Sequence, residues 1–252
     1  MTSKSLRIIS TVPSITELLY DLNLEDQVVG ITKFCVHPEK WYRSKPRIGG
    51  TKTLHIDKIK ALEPDLIIAN KEENTKEQIE ELMDYCEVIV TNIVTIQDNL
   101  NLIEMLATKL NREEKGKELK SQLRNLWKHI LQPTVFVSTI YLIWKDPYMT
   151  VGGDTFINHM ITNLGFTNLY SNQLRYPQIT IEEMKALNPQ LIMLSSEPFP
   201  FKEKHIEALQ NELPDAKILL VDGEAFSWYG TRIIKKEKYL KSIQTKIQTF
   251  AE

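Results

Sequence analysis

The segment ALEPDLIIANKE, from Ala61 to Glu72, recurs as ALNPQLIMLSSE from Ala186 to Glu197. The two copies begin 125 residues apart, close to half of the 252-residue chain. After a two-residue insertion the match resumes, with Ile79–Leu82 over Ile206–Leu209. Each copy is predicted to form a helix, a proline turn, a buried strand, a loop and a second helix. The repeat therefore predicts two halves built on one plan.

The physical chemistry of each copy supports this interpretation. Pro64 and Pro189 each end the preceding helix, because proline lacks the amide N–H that a helix interior uses. The apolar runs Leu66–Ile68 and Leu191–Leu194 follow the two prolines. Continuous apolar runs of this kind are typical of strands that are covered on both faces.

Helix starts and further strands extend the pattern. Ser14 with Glu17 follows Pro13, and Thr180 with Glu183 precedes the second copy of the repeat; both pairs have capping-box spacing. Other short apolar runs, separated by helix-like stretches, are predicted strands: Arg7–Val12, Val28–Thr32, Val88–Asn92, Thr134–Tyr141 and Lys217–Asp222. This alternation predicts an α/β fold with two Rossmann-like lobes and parallel sheets.

A long helical segment separates the two halves. Asn111 is its predicted N-cap, Glu113 and Glu114 fall in its first turn, and its apolar spacing continues to Pro133. The residues from 112 to 131 would span about 30 Å as a helix. We therefore expect an N-terminal lobe over 1–110, a linking backbone helix over 111–132 and a C-terminal lobe over 133–252.

Composition excludes several classes of protein. The 31 Lys and Arg against 33 Asp and Glu give a formal charge of −2, without the basic field that nucleic-acid binding uses. No run approaches the roughly 18 apolar residues of a membrane span. The apolar stretch at the start is too short for a signal peptide. We expect a monomer that is cytoplasmic if the sequence is complete and extracytoplasmic if a leader has been removed.

Common enzymatic signatures are not found in the sequence, which contains no G-x-G-x-x-G, G-x-x-x-x-G-K, G-x-S-x-G or H-E-x-x-H motif. We therefore predict no catalytic residues. The pairs Gly49-Gly50 and Gly152-Gly153 allow backbone to approach closely, either to a ligand or within a tight turn. Both interpretations stay open.

Cys35 and His37 carry a thiol and an imidazole, which both bind metals. Two ligands are too few for a resident ion, because structural sites use about four and catalytic sites about three. The pair either recruits acidic residues or a ligand-borne metal, or consists of a half-buried cysteine beside a turn histidine. The other histidines lie at no metal spacing and are interpreted as structural or surface residues: His55, His129, His159 and His205.

Aromatic and basic side chains are concentrated in segments predicted as loops after strands. Ligands of α/β folds bind at the carboxyl ends of parallel strands. Guanidinium groups pair with carboxylates and phosphates and stack on flat rings. The combination predicts a large, partly planar ligand. The candidate ligand-binding residues are Phe34, Trp41, Arg47, Trp144, Tyr148, Arg175, Tyr176, Phe199, Trp228, Tyr229 and Arg232.

Glu72 and Glu197 occupy equivalent positions in the repeat, just after its strand. Acids placed in this way on two lobes suit a basic partner with two-fold symmetry. The alternative is an ordinary surface position, which is the usual fate of glutamate.

The order of three motifs resembles a known family over nearly the whole chain. The motifs are Val12–Glu17, VPSITE, then Pro46–Gly50, PRIGG, and Pro64–Ala69, PDLIIA. They are similar to those of the helical-backbone substrate-binding proteins of ABC importers, which carry vitamin B12, haem and ferric siderophores. The B12-binding branch looks closest.

The resemblance implies a non-enzymatic periplasmic or extracytoplasmic receptor, without a tightly bound cofactor, that holds a metal-containing ligand between two lobes. It also implies a two-fold symmetric ABC permease as partner, with Glu72 and Glu197 as docking residues and Glu77 as an alternative to Glu72. Two further hypotheses stay open. One is a class II chelatase, which would need paired histidines near strand ends, and the other is a non-exported carrier or sensor.

Overall fold

The computed structural model describes residues 5–130 and 136–250, which divide into two compact units. The first unit contains the described residues up to Ile93, together with Gln97–Ser121 and Tyr229–Arg232. The second contains Val94–Ile96, Gln122–Trp228 and the described residues from Ile233 onward. The sequence predicts two contiguous lobes, whereas in the structure the four residues Tyr229–Arg232 belong to the first unit.

The first unit contains a parallel sheet of β1 (Ile8–Ser10), β2 (Val28–Ile31), β3 (Leu66–Asn70) and β4 (Glu87–Thr91) in the order β2-β1-β3-β4. All five residues of β3 are buried, as its apolar run predicts. The helices that begin in this part of the chain are α1 (Pro13–Asp21), α2 (Glu39–Ser44), α3 (Ile56–Ala61), α4 (Lys76–Met83) and α5 (Ile96–Lys109).

One long helix, α6 (Glu113–Ile130), follows α5 and contains residues of both units. It begins close to the predicted residue, and Asn111 has a φ of +54°, which ends the preceding helix in a left-handed turn. The predicted end of this helix, and the first residues of the strand predicted from Thr134, lie outside the described residues.

The second unit contains a second parallel sheet and a short antiparallel pair. The strands are β5 (Val137–Leu142), β6 (Tyr148–Met149), β7 (Phe166–Asn168), β8 (Gln178–Ile179), β9 (Leu191–Ser195) and β10 (Lys217–Val221), with the sheet order β10-β9-β5-β7 and β6 paired with β8. The helices after α6 are α7 (Phe156–Asn163), α8 (Ile181–Leu187), α9 (Glu203–Glu212), α10 (Gly223–Ser227), α11 (Arg232–Lys235) and α12 (Glu237–Phe250). Both repeated strands, β3 and β9, are inner strands of their sheets, and the predicted α/β fold is confirmed.

The two predicted capping boxes have different outcomes. Thr180 Oγ1 accepts a 3.1 Å bond from the Glu183 amide, and the Glu183 carboxylate accepts a 2.7 Å bond from the Thr180 amide, as predicted. The other prediction is wrong, because α1 begins at Pro13 after Val12 and has no side-chain cap. Ser14 and Glu17 are buried instead.

Candidate ligand-binding site

Loops that follow β5 and β9 bring four aromatic side chains together in the second unit. These strands pair in parallel, so the segments that follow them emerge at the same edge of the sheet. The ring centroid of Phe199 lies 5.7 Å from that of Trp144 and 4.7 Å from that of Phe201. His205, in the first turn of α9, lies 5.4 Å from both phenylalanine rings. We call Trp144, Phe199, Phe201 and His205 the aromatic cluster.

Exposure increases across the aromatic cluster from the core to the surface. Phe201 is buried in the core of the second unit, Phe199 is half-buried, and Trp144 is 40% exposed. An aromatic ring on a firm apolar base offers contact area at little cost in side-chain entropy. The cluster thus presents aromatic surface to solvent, and the ligand-binding role of Trp144 and Phe199 stays a prediction.

Basic groups surround His205. Burial, followed by the charges of Lys204, Lys145 and Lys202, lowers the pKa of the imidazole. Its Nδ1 accepts a 2.8 Å hydrogen bond from the Lys202 amide. Lys145 is held by a 2.6 Å ion pair with Asp146. The histidine is therefore neutral at neutral pH, with its proton on Nε2.

Tyr148 and the Arg175 loop extend this edge of the second unit. The Lys145 Nζ lies 5.9 Å from the ring centroid of half-buried Tyr148, whose pKa is raised by burial. Arg175 is exposed, 5.9 Å from the ring centroid of Tyr176, and its amide donates a 2.6 Å bond to Asp154.

The second glycine pair forms a tight backbone contact with the Arg175 loop. The Gly152 amide donates to the Arg175 carbonyl at 2.7 Å and the Gly153 amide to the Gln173 carbonyl at 2.9 Å. A Cβ on Gly153 would lie 2.1 Å from the Ser171 carbonyl oxygen. These contacts support the tight-turn interpretation of this glycine pair.

The first unit has a smaller exposed aromatic and basic region. Phe34 is 50% exposed, and the Lys33 Nζ lies 5.0 Å from its ring centroid. A Cβ on Gly50 would lie 3.2 Å from the Phe34 ring. Nearby in sequence, the Arg47 guanidinium lies 4.4 Å from the ring centroid of Tyr42. Phe34 is therefore exposed to solvent, and Arg47 is partly exposed.

Two aromatic candidates of the first unit are buried, which corrects the expectation that they line a site. Trp41 is fully buried and packs edge-on against Tyr20 at 5.3 Å. Tyr229 is 5% exposed, and burial raises the pKa of its hydroxyl. Both rings are core residues of the first unit.

The sequence predicts Arg232 as a ligand-binding residue, but its guanidinium forms a buried ion pair instead. Its Nε lies 2.9 Å from Glu17 Oε2, with side-chain exposures of 7% and 3%. In the same segment the Gly230 amide donates to Asn99 Oδ1 at 2.7 Å, and Thr231 bonds to Asp21. These bonds are the physical reason that Tyr229–Arg232 belongs to the first unit.

Trp228 and Glu197 are bonded to each other, which the sequence does not predict. The indole N–H of Trp228 donates to Glu197 Oε1 at 2.8 Å, and Ser227 Oγ donates to the same oxygen at 2.7 Å. Trp228 is 8% exposed, and burial raises the pKa of Glu197. Neither side chain is therefore a free surface group.

The Cys35 thiol is sealed inside the first unit. Its Sγ lies 3.0 Å from Thr16 Oγ1 and 3.1 Å from Thr32 Oγ1, and burial raises its pKa. His37 is half-buried. Over residues 5–130 and 136–250, no group of three or more His, Cys, Asp or Glu side chains could hold a metal ion. The structure favours the buried-cysteine alternative for this pair.

A model of the periplasmic binding protein family matches residues 8–216. The chain belongs to this family, and it is a substrate-binding receptor. Among the described helices, none has the length and apolarity needed to cross a membrane.

Particular relatives narrow the comparison. The vitamin B12-binding protein of Vibrio campbellii is 27% identical over 75% of this chain and 70% of the relative. An uncharacterized ABC transporter substrate-binding lipoprotein of Bacillus subtilis is 26% identical over 91% of this chain and 76% of the relative. The fold is similar to that of the periplasmic heme-binding protein of Roseiflexus sp. RS-1, with a TM-score of 0.85, 19% identity and coverage of 99% and 100%.

Proposed function

We propose that this receptor captures a metal-containing ring compound, either a corrinoid or an iron chelate such as haem, and delivers it to an ABC permease. The observation that carries the proposal is the aromatic cluster, in which exposed Trp144 packs against Phe199, and Phe199 packs against buried Phe201. The relatives support the same ligand class, since one is a vitamin B12-binding protein and another is a heme-binding protein.

Capture and release without chemical turnover is the proposed mode of action. A chelatase needs histidines and acids arranged around a metal, and the described part of the chain has no group of three metal-binding side chains. The bound metal is part of the cargo and is not a resident cofactor. The family supports an extracytoplasmic location for this activity.

Docking on the permease is proposed to use one acidic residue from each unit. Glu72 is half-buried and Glu77 is exposed in the first turn of α4, so both remain candidates for the first unit. Glu197 is a poorer candidate for the second unit, because its carboxylate already bonds to Trp228. Glu203 is exposed in the first turn of α9, the counterpart of α4 in the repeat, and is preferred over Glu197.

The docking proposal is tested with the cognate permease in lipid vesicles. We expect Glu77→Arg and Glu203→Arg each to abolish stimulation of ATP hydrolysis while ligand affinity is unchanged. Lys76→Arg, which keeps the charge of the neighbouring exposed position, is the control and should stimulate normally. Full stimulation by both charge-reversal variants would contradict the docking assignment.

The ligand proposal is tested by titrating the purified chain with cyanocobalamin, haemin and a ferric siderophore. Tryptophan quenching and the visible spectrum of each ligand are followed together. We expect one of these ligands to saturate at one equivalent. Binding of none of the three would contradict the proposed function.

A further inference from the structure

His205 differs from the other members of the aromatic cluster because it has polar atoms. It is the third residue of α9, whose N-cap is Lys202. The Lys202 amide donates to His205 Nδ1 at 2.8 Å, and the His205 amide donates to the Lys202 carbonyl at 2.8 Å. A side chain at this position that accepts a bond from the N-cap amide is one half of a capping box.

This bond fixes the tautomer of the imidazole. A neutral histidine has one acceptor nitrogen and one N–H donor. Because Nδ1 of His205 accepts the Lys202 amide, the proton is on Nε2. No described residue makes a hydrogen bond with that nitrogen, and the side chain is half-buried. His205 therefore presents an oriented N–H donor.

The rings of the cluster hold this donor in place. His205 packs at 5.4 Å from the centroids of both Phe199 and Phe201, with interplanar angles of 60° and 88°. Phe199 in turn contacts exposed Trp144. The Trp144 and Phe199 planes meet at 68°, so a flat ligand stacked on exposed Trp144 would have its rim beside Phe199, the ring that also contacts the imidazole.

The charges around His205 determine which chemical group on the rim of the ligand would bind there. The neighbouring cations are Lys145, Lys202 and Lys204, and Asp146 is the acid whose charge acts on the same imidazole. Asp146 is paired with Lys145 at 2.6 Å, whereas Lys202 and Lys204 are exposed. The region supplies mainly donors and positive charge, which favours an anionic acceptor.

We propose that His205 is a specificity-determining residue that donates its Nε2–H to a carboxylate on the rim of the bound ring compound. The inference rests on the proposed function and deepens it, because it selects ring ligands with carboxylate side groups over those with amide side groups. Lys202 and Lys204 contribute the accompanying positive field.

Two variants separate this role from helix capping. Glutamine and glutamate at the third helical position both accept the N-cap amide, so His205→Gln and His205→Glu both keep the cap. Only the glutamine also supplies an N–H donor. Thermal unfolding midpoints of both variants equal to that of the wild type would establish that the cap is intact in both.

The probes are haemin, which has two carboxylates, and cyanocobalamin, which has amides. We expect haemin to bind the wild type and His205→Gln within about threefold of each other, and His205→Glu at least about tenfold more weakly, because the glutamate lacks the N–H donor and places a like charge beside the ligand carboxylate. Haemin affinity of the wild type should also fall as salt is raised.

The outcomes distinguish this inference from the proposed function. If the wild type binds haemin and both variants bind it equally well, the inference about His205 is wrong and the receptor function stands. If the wild type binds cyanocobalamin and not haemin, the carboxylate preference is wrong. If neither probe nor a ferric siderophore binds, the proposed function fails and the inference fails with it.

Discussion

The indole N–H of Trp228 points at the carboxylate of Glu197 and donates a 2.8 Å hydrogen bond to Oε1. Ser227 donates to the same oxygen at 2.7 Å, so this acid has two internal donors. Burial alone would make a carboxylate at this position costly, and the two bonds offset part of that cost. The pair is thus a structural element of the second unit.

Removing one donor from this pair should destabilise the fold. Trp228→Phe keeps a six-membered aromatic ring and deletes the N–H with the rest of the five-membered ring. We expect the free energy of unfolding to fall by about 1.5–3 kcal/mol, the usual value of a hydrogen bond to a charged group. Urea unfolding at neutral pH measures this, and Trp144→Phe is a matched control, because Trp144 is 40% exposed. A Trp228→Phe variant as stable as that control would contradict the prediction.

Glu197 should also impose a pH dependence on stability. Burial raises its folded pKa above the ordinary value of 4.5, so the folded chain binds this proton more tightly than the unfolded chain. The unfolding free energy therefore falls as pH rises from 4.5 through the folded pKa. Glu197→Gln keeps an oxygen acceptor and removes the charge.

The difference in unfolding free energy, variant minus wild type, should accordingly grow between about pH 4 and about pH 7. Urea unfolding at several pH values across this window measures it. A difference that stays constant across the window would show that burial does not raise the pKa of Glu197.

The buried ion pair of Glu17 and Arg232 gives a third prediction. Arg232→Met removes the cation that lies 2.9 Å from the Glu17 carboxylate, in a site where Glu17 is only 3% exposed. We expect a loss of about 3–5 kcal/mol in unfolding free energy. The double variant Glu17→Leu with Arg232→Met should recover most of that loss, because it removes both charges. A loss below about 1 kcal/mol for Arg232→Met would contradict the assignment.

Trp144 should dominate ligand affinity. Trp144→Ala removes the exposed ring of the aromatic cluster and should weaken binding by about tenfold or more. Phe136→Ala is the matched control: Phe136 is 62% exposed but precedes β5, whereas Trp144 follows that strand. Fluorescence titration with the ligand that binds the wild type compares the two. Equal losses in both variants would remove the cluster from the binding site.

Gly153 should tolerate no side chain. In Gly153→Ala the new Cβ would meet the Ser171 carbonyl oxygen at 2.1 Å, so the backbone has to move. We expect a loss of about 1–3 kcal/mol, typical of overpacking. Exposed Asn172 in the opposing segment provides the control, and Asn172→Ala should change stability by less than about 0.5 kcal/mol. Thermal or urea unfolding measures the stability of both variants. Equal stability of Gly153→Ala and Asn172→Ala would contradict the prediction.

Much of the fold could be predicted from the sequence because the repeated strands are long apolar runs. β3 and β9 carry continuous Leu, Ile and Met side chains that suit only a covered strand. The short strands β6, β7 and β8 were missed, since two or three residues show no period. The capping box at Thr180 was found, whereas the same spacing at Ser14 misled because Glu17 pairs with a residue far along the chain.

The site was less predictable, because position after a strand does not determine exposure. The sequence places Trp41, Trp228 and Tyr229 in segments predicted as loops after strands, yet all three side chains are buried. The sequence places His205 at no metal-binding spacing, and this alone predicts a structural or surface residue. Its place three residues after the N-cap of a helix, next to Phe199 and Phe201 in sequence, was the signal that could have found it.

Because Tyr229–Arg232 belongs to the first unit, this unit depends on residues that are synthesised late. Domains usually fold as they emerge, N-terminal first. Here Arg232, which pairs with Glu17, and Gly230, which bonds to Asn99, follow all the strands of the second sheet in the sequence. The first unit therefore gains these two contacts only after Tyr229–Arg232 has been synthesised, which is after the strands of the second sheet.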